Sequence, residues 1–129
     1  MIEEYRRTGG TLSGGMLDGS VLVLLTTMGR RTGQPHTAPM MFKELEGGRL
    51  LVIASANGAA SDPAWYRNLQ SNPRVTVERA SDRFEATATT ATGDERARLW
   101  ADLIESHPFF VDHQAGIERE IPLVILERQ

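Results

Sequence analysis

Six short segments of this 129-residue chain have the residue pattern of β-strands, and several of them follow one another across short turns. Two segments, RVTVER and RFEATATT, alternate apolar and polar side chains, as half-buried antiparallel strands do. The predicted strands are 21–27, 37–43, 49–55, 74–79, 83–90 and 121–127. Six antiparallel strands are most stable when the sheet closes into a small barrel, because closure removes unpaired strand edges. The sequence therefore predicts a mainly β (α+β) fold, a six-stranded antiparallel barrel with a few flanking helices.

Four helical segments are predicted beside these strands. Residues 2–8 form a short first helix. Asp62 is the expected N-cap of the second, with Pro63 at its first helical position. The run TGDE that begins at Thr92 matches a capping box and opens the third, and a last helical piece is expected near Phe109–Ala115. A chain of this length is expected to form one domain over residues 1–129.

Charge and composition disfavour several classes of function. The chain carries 17 acidic and 14 basic residues, a net charge of −3, whereas a nucleic-acid binder normally has a basic excess. It has no cysteine, and its three histidines lack ligand spacing, so no metal site is expected. No apolar run approaches the ~20 residues of a membrane span, and the first residues lack the apolar core of a signal peptide. We expect a cytoplasmic location, with peripheral contact to a membrane left open.

Two adjacent arginines, Arg30 and Arg31, lie between Gly29 and Gly33, shortly after the apolar run VLVLL. Guanidinium groups match phosphate or carboxylate, and backbone N–H groups of such a turn can add an anion-binding concavity, with Thr32 supplying a hydroxyl. The lysine of a Walker motif is missing. The alternative is a solvated turn whose arginines face water, which is the commoner situation for arginine.

A second candidate segment is ASANGAASDPAW, which starts at Ala54. Its small residues would let a planar ligand approach the backbone closely, although a plain flexible loop is an equal alternative. Trp65 and Asn68 lie three apart on the helix that follows. Trp65 is more often a core residue than a ligand contact, and Asn68 is either a surface residue or a hydrogen-bonding link from the helix to a strand.

In their order and spacing, LLTTMGRRTGQPHTAPMMF, ASANGAASDPAWYRNLQSNPRVTV, DERARLW and REIPLVILE resemble the deazaflavin-dependent nitroreductase family, over about residues 3–127. The resemblance implies a split β-barrel, similar to FMN-binding split barrels, that binds the deazaflavin coenzyme F-420. The residues implied to hold the phosphate of the coenzyme are Arg30, Arg31 and Thr32. The residues implied to line its ring and tail are His36, Thr37, Ala38, Pro39, Met40, Met41, Ile53, Ala54, Ser55, Ala56, Ala64, Trp65, Tyr66, Arg67 and Asn68.

Three positions depart from that family's pattern. Ala56 stands where the family often has lysine, and His36 where it often has arginine, so less positive charge meets the glutamate tail of the coenzyme. Phe110 stands where well-known members have a tyrosine that faces the substrate. Phe110 is therefore a substrate-facing candidate. His113 is the other, because it lies about one helical turn further along and would supply the donor that Phe110 lacks, although a surface side chain is its commoner role. No catalytic side chain is assigned.

The reaction implied by the resemblance is hydride transfer from reduced coenzyme F-420 to an electron-poor small molecule: a quinone, an α,β-unsaturated carbonyl compound or a nitro compound. Because Phe110 lacks a hydroxyl donor, we expect the first two classes to react faster than nitroimidazoles. Two alternatives remain at this point. One is an FMN-dependent reductase on the same barrel, and the other is a carrier that binds the deazaflavin or an apolar ligand without turnover. A homodimer is one option for the assembly.

Overall fold

The computed structural model describes residues 22–54, 61–79 and 82–129, which form six β-strands and three α-helices. The strands are β1 (Leu22–Met28), β2 (Pro35–Glu44), β3 (Leu50–Ile53), β4 (Arg74–Arg79), β5 (Asp82–Thr90) and β6 (Leu123–Arg128). The helices are α1 (Ala64–Ser71), α2 (Gly93–Ser106) and α3 (Phe109–Ala115). The predicted helix at 2–8 lies outside the described residues.

The six strands close into a barrel in the order β1-β2-β3-β6-β5-β4, with β4 pairing back onto β1. Every strand pair is antiparallel, as in the register that sets Leu25 opposite Ala38 on β2 and opposite Val77 on β4. The predicted six-stranded antiparallel barrel is thus confirmed. The strand β2 is longer than predicted, because its pairing with β1 continues to Pro35, at the end of the arginine turn.

Side chains alternate between the barrel interior and its outer face. On β3, Val52 belongs to the interior core, together with Val23 and Val77. Its neighbour Leu51 points the other way and packs in a second buried cluster with Leu103 of α2. This second cluster joins α2 and α3 to the outer face of the sheet, and its buried members are Leu51, Ala91, Leu103, Phe110, Leu123 and Ile125.

The expected helix caps are only partly formed. The prediction that Asp62 caps α1 is wrong, because Pro63 occupies the N-cap position and no side chain caps the helix. The Asp62 carboxylate instead accepts a hydrogen bond from Arg119 at 2.8 Å, and that ion pair outcompetes the cap. Thr92 is the N-cap of α2 as predicted, but the side-chain hydrogen bond of a capping box is absent there.

The helix α2 is also fixed to the barrel by a polar contact. Nζ of Lys43 on β2 lies 3.2 Å from Oδ2 of Asp102 and donates to Oγ of Ser106 at 3.2 Å. None of the helices within the described ranges has the length and apolar character that crossing a membrane requires.

Candidate functional site

The turn between β1 and β2, residues 29–34, places the two arginines at the tip of a hairpin; we call it the arginine turn. It is closed by two backbone hydrogen bonds of 2.8 Å, from Gly29 N–H to Gln34 O and from Gly33 N–H to Gly29 O. Gly33 has a φ of 71°, a left-handed conformation that favours glycine. Oγ1 of Thr32 accepts from the Gln34 N–H at 3.2 Å, so the turn is held by its own residues.

Gly29 permits a close approach of side chains to the backbone of this turn. A Cβ atom at that position would lie 2.8 Å from Oγ1 of Thr32 and 2.9 Å from Nε2 of His36. Both separations are shorter than van der Waals contact allows, so any other residue would displace these two side chains. The glycine therefore leaves the space in which the Thr32 hydroxyl and the His36 ring lie against the turn.

Asn68 of α1 joins the helix to the arginine turn. Its Oδ1 accepts a hydrogen bond from the backbone N–H of Arg30 at 3.2 Å and another from Nη1 of the same residue at 3.3 Å. Its Nδ2 donates to Oγ1 of Thr27 at 3.2 Å, and both Thr27 and Asn68 are buried. Of the two alternatives for Asn68 from sequence, the link from the helix to a strand is the one formed.

An open cleft of about 370 Å³ lies between the arginine turn, the start of β2 and α1. This volume falls within the roughly 300–1,000 Å³ that small-molecule sites occupy. The lining residues are Gly29, Arg30, Arg31, Thr32, His36, Thr37, Ala38, Ala64, Trp65 and Asn68. All of them except Gly29 belong to the set that we predicted to contact the coenzyme, so the fold brings two separate predicted segments to one place.

The remaining predicted coenzyme contacts are not among the lining residues of this cleft. Met40 packs against the interior core, and Ala54 is fully buried. Tyr66 is also buried and its hydroxyl lies 2.9 Å from Oγ1 of Thr90, whereas Arg67 is exposed on α1. Pro39 lies further along β2, where it pairs with Leu24. Ser55 and Ala56 fall outside the described residues.

A second, much smaller cavity of about 10 Å³ lies on the outer face of the barrel. It is lined by Met41, Phe42, Lys43, Ile53, Leu103, His107 and Phe110. Three residues of the predicted site, Met41, Ile53 and Phe110, therefore meet here rather than at the larger cleft. A cavity of this size is at the lower limit for holding one water molecule.

Phe110 and His113, the substrate-facing candidates, lie in an aromatic cluster on α3. Phe110 is only 4% exposed, and its ring centroid is 4.3 Å from that of Phe109 and 5.8 Å from that of His113. Nδ1 of His113 is buried and has no hydrogen-bond partner among the described residues. In this structure Phe110 contributes to the buried cluster beneath α2 and α3, and neither residue lines the larger cleft.

Arg119 is a residue near the site that sequence reasoning missed. Its Nη1 donates to the backbone O of Ala54 at 3.1 Å and to Oδ1 of Asp62 at 2.8 Å. Ala54 follows β3 and Asp62 precedes α1, so one guanidinium holds both ends of the connection that leads into the cleft helix. No local pattern marks this role, because Arg119 is 65 and 57 residues away from these partners in sequence.

The described residues contain no group of three His, Cys, Asp or Glu side chains that could hold a metal ion. The lining of the cleft instead combines the cationic and hydroxyl donors of the arginine turn with the side chains of Ala38, Ala64 and Trp65. Such a combination suits a ligand that has an anionic group joined to a flat ring system.

Comparison with known proteins relates the whole chain to one family. Residues 1–128 match the family model described as F420H(2)-dependent quinone reductase. An F420H(2)-dependent quinone reductase of Mycobacterium tuberculosis (strain H37Rv) is 32% identical over 128 residues, which cover 97% of this chain and 85% of the relative. The match therefore includes the arginine turn, α1 and the barrel together.

Solved structures agree with this relationship. The structure of an F420-H2 dependent reductase (FDR-A) superposes with a TM-score of 0.72 at 33% identity, over 82% of this chain and 93% of that one. A chain described as a domain-swapped dimer superposes with a TM-score of 0.76 at 31% identity, over 98% of this chain and 94% of that one. Both superpositions extend over most of each chain.

Proposed function

Because the chain belongs to the F420H(2)-dependent quinone reductase family, we propose that it reduces a quinone with hydride taken from reduced coenzyme F-420. The protein is an oxidoreductase, and coenzyme F-420 is its cofactor. The family's name favours quinones among the three acceptor classes predicted from sequence. The FMN-dependent reductase and the carrier without turnover are correspondingly not favoured.

The residues that line the cleft are the observation that supports it as the binding site of the coenzyme. Arg31 is exposed at its edge, and no described residue forms a hydrogen bond or ion pair with its guanidinium. Such a group is ready to take a phosphate through charge-assisted hydrogen bonds. Arg30 and the Thr32 hydroxyl lie on the same turn and also line the cleft, so the phosphate of the coenzyme would be held beside the arginine turn.

The remaining apolar lining of the cleft fits a flat ring. Ala38 and Ala64 present only methyl groups, and Trp65 adds a half-buried aromatic surface. Small and aromatic side chains together give a ring a wall to pack against and exclude water from one of its faces. We assign the deazaflavin ring to this wall, with its opposite face left open for the acceptor.

When bound, the reduced coenzyme supplies the hydride, and the redox chemistry belongs to it rather than to a side chain. A quinone that receives one hydride and one proton leaves as the hydroquinone. The residues of the cleft contribute by binding and orientation, since holding two reactants in contact removes much of the entropic cost of their encounter. Such a reaction needs no catalytic side chain, and the lining residues of the cleft include no nucleophile paired with a general base.

Assembly and location are further proposals. A solved relative at 31% identity is a domain-swapped dimer, which supports a homodimer here. Light scattering coupled to size-exclusion chromatography would measure the mass directly. The predictions of one domain over residues 1–129, a cytoplasmic location and peripheral membrane contact stay predictions. Limited proteolysis would test the first, and cell fractionation would test the other two.

The proposed function is tested by binding and then by turnover. Fluorescence titration of the purified protein should give tighter binding of coenzyme F-420 than of FMN. The reduced coenzyme should then be oxidised with a quinone or an α,β-unsaturated carbonyl compound faster than with a nitroimidazole. Equal affinity for FMN, or binding of coenzyme F-420 without turnover on any acceptor, would support one of the two alternatives instead.

A further inference from the structure

The Asn68 side chain makes three hydrogen bonds that connect α1 with the arginine turn and with β1. Its Oδ1 lies 3.2 Å from the backbone N of Arg30 and 3.3 Å from Nη1 of the same arginine. Its Nδ2 lies 3.2 Å from Oγ1 of Thr27, which is fully buried. Asn68 itself is only 4% exposed, so this amide is part of the packed structure and not a free surface group.

We infer that Asn68 is a positioning residue, which orients the guanidinium of Arg30 before an anion arrives and thereby sets the affinity of the cleft for the coenzyme phosphate. The inference rests on the proposed function, because it concerns the same cleft. The inference gives the two arginines different roles. Arg30 is held in place by the helix, whereas Arg31 has no bond to another described residue and adapts to the ligand.

The Asn68 amide suits this role because it accepts a hydrogen bond from Arg30 without carrying a negative charge. One Oδ1 atom occupies one of the five N–H donors of the guanidinium and leaves the others for an anion. A carboxylate in the same place would accept the same hydrogen bonds but would also neutralise the cation. Thr27 accepts from Nδ2, and this contact orients the amide so that Oδ1 faces the arginine turn.

Two substitutions at this position separate orientation from charge. Asn68→Ala removes the acceptor and should weaken coenzyme binding by about three- to tenfold, because Arg30 must then be ordered on binding. Asn68→Asp keeps the size and the acceptor and should weaken binding more than Asn68→Ala, since it adds a negative charge beside the guanidinium. A merely structural role would give the reverse order, with the isosteric aspartate the milder change.

The control is Asn72→Ala. Oδ1 of Asn72 accepts from the backbone N–H of Arg74 at 3.2 Å, which is the same type of contact at the same length, just beyond the end of α1. Asn72 is not among the lining residues of the cleft. This variant should bind the coenzyme as the wild type does.

The decisive experiment is a double-mutant cycle on dissociation constants for coenzyme F-420, measured by fluorescence in wild type, Asn68→Ala, Arg30→Ala and the double variant. A positioning role predicts that Asn68→Ala has little further effect once Arg30 is alanine, but keeps its effect in an Arg31→Ala background. Amide hydrogen exchange of the coenzyme-free protein adds a readout that needs no ligand: the Arg30 N–H should exchange faster in Asn68→Ala than in wild type.

The outcomes separate this inference from the proposed function. Independent, additive losses in the cycle would overturn the positioning role, as would an Arg30 N–H that exchanges equally fast in both proteins. A wild type that does not bind coenzyme F-420 at all would overturn the proposed function and this inference together. If Asn68→Ala does not fold, Asn68→Ser takes its place in the same double-mutant cycle, because the shorter serine side chain also removes the Oδ1 acceptor without adding a charge.

Discussion

Arg119 and Asp62 form a partly buried ion pair, with Nη1 of Arg119 2.8 Å from Oδ1 of Asp62, across 57 residues of sequence. The same Nη1 bonds to the backbone O of Ala54, so the pair ties the end of β3 to the start of α1. The position of the cleft helix therefore depends on a residue from the segment that precedes β6.

Asp62→Asn should lower the free energy of unfolding by about 1–3 kcal/mol, because it weakens a charge-assisted hydrogen bond that solvent screens little. Asp82→Asn is the matched control, since Asp82 also pairs with an arginine, Arg128, but both side chains are more than half exposed. The control should change stability by less than about 1 kcal/mol. Urea denaturation measures both variants, and an equal effect for the two would contradict the special role of the Arg119 pair.

Arg31→Ala should weaken the binding of coenzyme F-420 by about tenfold or more, since a hydrogen bond to a charged group contributes about 1.5–3 kcal/mol. Added salt should weaken binding to the wild type, because a partly exposed ionic contact is screened. Arg98→Ala, which removes an exposed arginine of α2 outside the cleft, is the control. Normal binding by both Arg30→Ala and Arg31→Ala would show that the arginine turn does not contribute to coenzyme affinity.

Gly29→Ala should weaken coenzyme binding several-fold while lowering stability by no more than about 1 kcal/mol, since the new methyl group meets two side chains and not the backbone. The methyl group would push Oγ1 of Thr32 and the His36 ring out of place. Gly116→Ala is the control, because a Cβ there would lie 3.6 Å from its nearest neighbour, Asp112 O, which is ordinary contact. Fluorescence titration tests binding, and unchanged affinity in Gly29→Ala would show that the close approach has no role in it.

Phe110→Tyr should destabilise the protein by about 1–3 kcal/mol, since the ring is 4% exposed and the adjoining cavity of about 10 Å³ leaves little room for a hydroxyl. Phe109→Tyr is the control, because Phe109 is 41% exposed and its hydroxyl would reach water. Thermal denaturation compares the two. Unchanged stability of Phe110→Tyr together with faster reduction of nitro acceptors would instead support the predicted substrate-facing role of this position.

Glu44 gives the protein a small pH-dependent contribution to stability. The hydrogen bond and the positive charge of Arg79 hold the pKa of the Glu44 carboxyl below its ordinary value of 4.5. A lowered folded-state pKa stabilises the protein above pH 4.5, and this contribution is lost as the pH falls through the folded-state value. The free energy of unfolding of Glu44→Gln should therefore be slightly lower than that of the wild type at pH 7, and the difference should shrink in acid. It should also shrink in 1 M salt, because the Debye length is then only about 3 Å and the ion pair is screened. A difference that grows in acid would contradict this assignment.

The barrel was predictable from sequence because its strands carry their own signals. RVTVER alternates apolar and polar residues, and it forms β4 over the predicted range, Arg74–Arg79. The glycines of the arginine turn likewise mark the hairpin between β1 and β2. The predicted N-cap of α1 was wrong because a distant partner intervened. Asp62 is a residue type that commonly caps helices, but its carboxylate bonds to Arg119 instead.

The site was predictable only in its parts. The arginine turn and the Ala64–Asn68 segment were each recognised from residue type and family resemblance, and the fold brings them together in the cleft. The contacts that fix their geometry were not predictable, because Asn68 reaches Arg30 over 38 residues of sequence. The burial of Phe110 was not predictable either, because it depends on how α3 packs against Leu103 of α2. The predicted substrate-facing role of Phe110 stays a prediction.

The position of β6 in the barrel has a consequence for how the protein is made. β6 pairs with β3 on one side and with β5 on the other, so that Leu126 faces both Leu50 and Ala88. On the ribosome, the first five strands can pair in the order β3-β2-β1-β4-β5, while the edges of β3 and β5 that face each other stay open until Leu123–Arg128 has emerged. Open edges are templates for pairing between chains. We therefore expect the nascent protein to need chaperone protection until β6 has emerged, and chains interrupted before β6 to aggregate.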